Sequence, residues 1–304
     1  MEVCKWIHYC ENPKHKQWVL CDIKDLTNIK TWTYAPPYDS LYSYASIQIG
    51  KIIYFTGGGT PSSEEGEEEY YQTVMKVIVT DDMKTIVNKL ANMNLPRAEH
   101  TIESIADKYL YVLGGANSSG IIASCEEYEI EADKWREMAP LNEKKKWVSV
   151  CSFDDKYLYT FGGYLTSKGD TSSLIECLDT SSHTAWTIVS ISREGNQFME
   201  CYLLGAVAIS KTSILLFGGI VKGKEVDQCM RFEIEEKKLI KDKALLCCDS
   251  FSRTQAGFKD NSFVVVGSRE GGLHIYDKGT QKWSYKLRKL WNPKGELWFK
   301  SDTI

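Results

Sequence analysis

Short apolar runs recur along the chain and stop abruptly at small residues. Residues 110–115 read LYVLGG, and the same pattern stands at 52–58 (IIYFTGG), 158–163 (LYTFGG) and 214–219 (ILLFGG), with a weaker copy, FVVVGS, at 263–268. The leading glycines are Gly57, Gly114, Gly162, Gly218 and Gly267, so by subtraction the intervals are 57, 48, 56 and 49 residues. A unit of roughly 50 residues signals a repeat architecture. Upstream of each glycine lies an apolar or alternating strand, a polar turn and a second strand, as in ESIADKYLYVLGG (103–115) and CSFDDKYLYTFGG (151–163). That is a hairpin pattern. Downstream come a variable loop, a third strand, a short polar turn, often a tryptophan, and a fourth strand. EEYEIEADKW (126–135), IECLDTSSHTAW (175–186) and LHIYDKGTQKW (273–283) show it. No segment sustains a helical period. Each unit therefore predicts four antiparallel strands, which bury both faces only by stacking on neighbouring units.

A second strand ending in two glycines, followed by an aromatic residue and a tryptophan flanking a short turn, resembles the kelch repeat. The resemblance covers nearly the whole chain. It is strongest at LYVLGG…EEYEIEADKW and LYTFGG…CLDTSSHTAW, and weaker after Gly58 and Gly219, where no tryptophan follows the third strand. A WD-repeat propeller fits less well, because its period is nearer 40 and its Trp-Asp ending is absent. The resemblance implies an all-β, kelch-type β-propeller. Gly57, Gly58, Gly114, Gly115, Gly162, Gly163, Gly218 and Gly219 then read as structural, where the second strand leaves a crowded sheet, and so do Trp32, Trp135, Trp186 and Trp283.

Five glycine-marked units start near Tyr42, Arg97, Lys146, Tyr202 and Arg253. Trp32-Thr-Tyr-Ala-Pro repeats Trp135-Arg-Glu-Met-Ala-Pro, which makes the region near 32 a fourth strand; QWVLCDI (17–23) and KWIHYC (5–10) read as the third and second strands before it. The missing first strand is expected from GELWFK (295–300). Six blades result, the last closed by both chain ends, in one domain over residues 3–302; such closure removes an open sheet edge.

Composition narrows the function. The 304 residues are 43% apolar with a net charge of −4, which gives no overall attraction to nucleic acid or anionic membrane. No apolar stretch approaches the roughly 18 residues of a membrane helix, and the first residues show no secretory pattern. Ten cysteines spread from Cys4 to Cys248, several inside strand-like runs (Cys151, Cys177, Cys229), read as buried thiols of a cytoplasmic protein.

In a four-stranded meander the 2–3 loops and the 4–1 connections share one face. The long, variable segments 59–71, 116–124, 164–173 and 220–228 all fall there, while the 1–2 turns on the other face are short. Variable loops on a rigid scaffold are where binding resides, and the kelch resemblance implies protein recognition on that face. The candidate contact residues are Tyr42, Tyr44, Arg97, His100, Lys145, Lys146, Trp147, Arg193 and Arg253. Arginines, lysines and aromatics converging there suit an acidic protein or peptide. The acidic run EEGEEE (64–69) reads as a solvated loop, with a basic partner or a divalent cation as the sharper alternative; the spacing of a calcium loop is missing.

Catalysis is not expected. Cys4, His8, Cys10, His15 and Cys21 lack a C-x2-C element, and there is no G-x-S-x-G elbow. No metal, cofactor or catalytic residue is assigned. The reading is a protein-binding scaffold or adaptor. Its alternatives are the substrate-recognition subunit of a ubiquitin ligase or, further off, a kelch-type oxidase or epimerase.

Overall fold

The computed structural model describes residues 6–12, 17–22, 31–34, 43–60, 68–80, 84–166, 168–182, 184–191, 200–242, 256–259, 263–267 and 273–287; before residue 43, over 256–267, at 273 and over 285–287 only the backbone is described. Every regular element among these residues is a strand. Sheet A has three, β1 (Trp6–Asn12), β2 (Gln17–Asp22) and β3 (Thr31–Tyr34). Sheet B has β4 (Ala45–Ile49), β5 (Ile52–Thr56), β6 (Val74–Val79) and β7 (Thr85–Leu90). Sheet C has β8 (Thr101–Ile105), β9 (Tyr109–Leu113), β12 (Cys125–Glu129) and β13 (Lys134–Met138), with a two-stranded ribbon, β10 (Ala116–Asn117) and β11 (Gly120–Ile121), in its 2–3 loop. Sheet D has β14 (Ser149–Phe153), β15 (Tyr157–Phe161), β16 (Ile175–Asp179) and β17 (Thr187–Ile188). Sheet E has β18 (Gly205–Ala208), β19 (Ser213–Phe217), β22 (Cys229–Glu233) and β23 (Lys238–Lys241), again with a ribbon, β20 (Ile220–Val221) and β21 (Lys224–Glu225). Sheet F has β24 (Ala256–Lys259), β25 (Phe263–Gly267), β26 (Leu273–Asp277) and β27 (Lys282–Leu287).

Each four-stranded sheet is an antiparallel meander. The 116–124 and 220–228 segments, expected as loops, thus contain short hairpins. The segment 295–300 lies outside the described residues.

The first strands stand side by side: β4 against β8, β8 against β14, β14 against β18, and β18 against β24. The last sheet also meets the first, because β1 lies beside β24 and β25. Hydrophobic clusters form between successive sheets. Tyr54 and Val74 of sheet B pack on Ile102, Leu110 and Tyr128 of sheet C. Tyr111 and Leu113 of sheet C meet Val150, Leu158 and Leu178 of sheet D. Phe161 and Ile175 of sheet D meet Ile214, Leu216 and Phe232 of sheet E, and Leu215 and Phe217 of sheet E meet Tyr276 and Trp283 of sheet F. Period-2 alternation sends neighbouring residues of one strand to opposite interfaces, so a second strand such as LYVL is apolar throughout.

The repeat tryptophans tie these interfaces. The Trp135 indole N–H donates to the Ala91 carbonyl at 2.9 Å, and that of Trp186 to the Ala139 carbonyl at 3.0 Å, in each case at the end of the preceding sheet's last strand. Trp135→Phe keeps a smaller aromatic ring and removes the N–H donor to that carbonyl. It is expected to cost about 1 kcal/mol, read as a lowered urea midpoint.

Glu103 on β8 faces Ser152 on β14, across one such interface. Burial pushes its carboxyl up to about 7, against the pull of hydrogen bonds from Ser104 and Ser152. The unfolded chain loses this proton near the ordinary 4.5, whereas the folded protein holds it to about 7. Unfolding in that window releases a proton, so stability falls as pH rises through it. Melting temperatures at pH 5 and pH 8 are expected to differ less for Glu103→Gln than for wild type.

Candidate functional site

The loop face is built by a backbone joint repeated from sheet to sheet. The Gly115 N–H donates to the Lys145 carbonyl of the next sheet at 3.0 Å; Gly58 does the same to Arg97 at 2.8 Å, and Gly163 to Cys201 at 2.9 Å. The preceding glycine permits the approach. A Cβ on Gly114 would sit 2.3 Å from the Lys145 carbonyl oxygen, and Gly114 holds a φ of +61°. No other residue type offers both the left-handed conformation and the space.

The joint turns the side chains of Arg97 and Lys145 inward. Arg97 is fully buried and donates to the carbonyls of Gly114 and Ser124 at 3.0 and 2.8 Å, to Ser124 Oγ at 3.1 Å and to Glu126 Oε1 at 2.8 Å. Lys145, also fully buried, pairs with Glu176. His100 is buried, with Nε2 at 2.8 Å from Thr56 Oγ1. The expectation that Arg97, His100 and Lys145 face a partner is therefore corrected. A charge taken out of water must be paired, and their partners are internal.

Two residues beyond Arg97, Lys145 and Cys201, and again at Ser43, the chain turns left-handed. Ser43, Glu99, Trp147 and Leu203 have φ values of 58, 58, 51 and 58°. Their backbones form a relay: Glu99 N–H donates to Ser43 O at 2.8 Å, Trp147 N–H to Glu99 O at 2.9 Å, and Leu203 N–H to Trp147 O at 3.1 Å. Four consecutive sheets are thereby linked.

On this relay sits an aromatic cluster. Trp147 stacks on Tyr202 with centroids 5.5 Å apart and planes at 23°. Tyr164 stands edge-on to both, at 5.4 and 5.2 Å. Lys146 Nζ lies 2.6 Å from Glu99 Oε2 and 4.1 Å from the Trp147 ring centroid. Tyr44 is half-buried against Phe55, with centroids 5.8 Å apart. Beside the cluster opens a cavity of about 740 Å³ whose chemistry comes from Glu68, Glu69, Tyr70, Glu99, Lys146 and Tyr164. Pairing of Gly59 with Tyr70 closes the base of the acidic loop. The Tyr70 hydroxyl donates to Glu68 at 2.6 Å; burial, that bond and the charges of Glu68 and Glu99 push it up to about 12, so it remains a donor.

The arrangement is equipped to bind. Among the described residues no three His, Cys, Asp or Glu side chains converge to hold a metal ion. Burial pushes the thiols of Cys125, Cys201 and Cys229 up to about 12, which leaves them without thiolate character.

A family model of the kelch motif matches residues 96–142. Over 97 residues, 30% of this chain, the sequence is 33% identical to alpha-scruin of Limulus polyphemus, and over 95 residues it is 37% identical to beta-scruin of the same animal. Over 130 residues, 43% of this chain, it is 25% identical to Kelch-like protein 41a of Danio rerio. Residues 96–142 thus match a kelch motif, and the matched parts of the chain are similar to kelch-repeat proteins. These matches span 10% of either scruin and 20% of the kelch-like protein. The solved structure of YjhT shares the fold, with a TM-score of 0.69 at 13% identity over 89% of this chain and 91% of that one. The all-β meander sheets, the kelch-motif match and this shared fold together support a kelch-type β-propeller.

Of the sequence-predicted residues, the structure places Lys146 in the cavity wall and Trp147 in the aromatic cluster beside it, and sets Tyr44 apart. Tyr42, Arg193 and Arg253 lie outside the described residues, as do residues 64–67 of the acidic run. Sequence reasoning missed Glu99, Tyr164 and Tyr202. A signal for two of them exists. Ala98, Lys146 and Tyr202 all stand 16 residues before their glycine pair, by subtraction from Gly114, Gly162 and Gly218. Each bridges the residue just after its own pair: Ala116, Tyr164 and Ile220.

Proposed function

We propose that this kelch propeller is a protein-binding scaffold that recognises a protein or peptide segment on the face formed by its 2–3 loops and 4–1 connections, without catalysis. The observation that carries the reading is the cavity on that face, beside a floor of Trp147, Tyr164 and Tyr202 fixed by main-chain hydrogen bonds. Aromatic anchors on a rigid, well-packed support are what protein-binding sites use. We further propose six blades in one domain over residues 3–302, the last completed by residues 295–300 beside β1. The three-stranded sheet A and the contact of β1 with β24 and β25 support that closure. The described residues contain no helix long and apolar enough to cross a membrane, and we place the protein in the cytoplasm.

Affinity capture from native cytosolic extract tests the reading, with wild type compared against a Lys146→Ala, Tyr164→Ala double variant and a Lys156→Ala control in the opposite 1–2 turn. The expected result is a partner held by wild type and control and lost by the double variant with its melting temperature unchanged. A partner held equally by all three would remove this face from consideration.

A further inference from the structure

We infer that the cavity receives a basic side chain, arginine before lysine, from an extended segment of the bound polypeptide; this rests on the binding reading above. Three carboxylates, Glu68, Glu69 and Glu99, and one cation, Lys146, line the cavity. Lys146 is engaged by Glu99 at 2.6 Å. Glu68 and Glu69 are exposed, and each accepts a tyrosine hydroxyl through Oε2, from Tyr70 at 2.6 Å and from Tyr71 at 2.7 Å. The lining therefore carries an excess of two negative charges. Burial of Arg97 and Lys145 removes two of the cations expected to attract an acidic partner.

Lys146, part of the cavity wall, shows how an ammonium group is held at its edge. Lys146 Nζ sits over the faces of Trp147 and Tyr164, at 4.1 and 5.5 Å from their centroids, with a carboxylate alongside. A second cation entering the cavity meets the same chemistry, the ring of Tyr70 or Tyr164 together with Glu68 and Glu69. Arginine suits it best, because its planar fork bonds a carboxylate with two N–H groups while its face stacks on an aromatic ring. About 740 Å³ is enough for such a side chain with adjoining main chain.

The test uses the full chain and an affinity-selected library of fluorescein-labelled nonapeptides randomised at every position, followed by fluorescence polarisation of the winners. The expected winners carry arginine or lysine at one defined position. Replacing that residue by citrulline should weaken binding about ten-fold, the loss of one charge-assisted hydrogen bond. A Glu68→Gln, Glu69→Gln double variant should weaken it similarly, with unchanged melting temperature. Selection of acidic peptides, or affinities indifferent to both changes, would overturn the inference. If those indifferent peptides still require Tyr164, the binding reading stands without it. If no peptide is selected and no partner is captured from extract, both fall together.

Discussion

Arg97→Ala is expected to lower the stability of the fold by about 3–5 kcal/mol, the usual cost of removing one partner of a buried ion pair. Arg97 makes four hydrogen bonds and has no exposed surface; Glu126 is 1% exposed. Without the guanidinium, that carboxylate keeps two N–H donors, those of Asn94 at 2.7 Å and Leu95 at 3.2 Å, and has no counter-charge. The carbonyls of Gly114 and Ser124 lose a donor as well. The measurement is a urea titration of wild type and variant.

The chain carries its own control for this loss. Arg97, Lys145 and Cys201 each precede a glycine pair by 17 residues, counted to Gly114, Gly162 and Gly218. Their partners also correspond: Glu126 pairs across the ladder with Val112, Glu176 with Thr160, and Met230 with Leu216. Two blades therefore hold an ion pair where the next holds a thiol and a thioether, both buried in one apolar cluster. A buried pair is often replaceable by apolar residues of similar volume. The Arg97→Cys, Glu126→Met double variant is expected to be more stable than Arg97→Ala. It should remain below wild type, because the Asn94 and Leu95 N–H groups lose their acceptor. A double variant less stable than the single one would show that the pair is needed as a pair.

This repeat explains what could be read in advance. Strand order, the glycine joints and the tryptophans recur at nearly fixed spacing, so each copy supports the interpretation of the next. The fate of Arg97 and Lys145 did not follow from spacing. A basic residue in a connecting segment reads as solvated, and only the Glu126 and Glu176 positions, 29 and 31 residues downstream by subtraction, reveal internal neutralisation. A glutamate inside a buried third strand, as in SCEEYEI and LIECLD, was the available hint, since an ionised group there requires a partner. The aromatic floor was equally indirect. Trp147 lies in a segment of evident interest, whereas Tyr164 and Tyr202 reach it through bridges between a connection and the residue after a glycine pair. That geometry depends on left-handed residues at Glu99, Trp147 and Leu203, none of which is glycine. Sequence alone gives no reason to place these residues at positive φ.

Gly114→Ala tests the joint itself. Two costs are expected to add. The left-handed φ of +61° costs a residue with a Cβ about 1–2 kcal/mol. The new methyl would also stand 2.3 Å from the Lys145 carbonyl oxygen, far inside contact distance, and that atom is backbone that cannot rotate away. Relief requires the next blade to retreat, which breaks the 3.0 Å bond from Gly115 N–H and shifts the buried Lys145–Glu176 pair. Gly50→Ala separates the two costs. Gly50 has a φ of +57°, but nothing lies within 4 Å of its added Cβ, so only the conformational cost applies. Urea midpoints are expected to fall modestly for Gly50→Ala and several-fold further for Gly114→Ala. Equal losses would mean that the glycine serves conformation alone. A larger loss at Gly114 would identify close approach between blades as the reason for the first glycine of the pair.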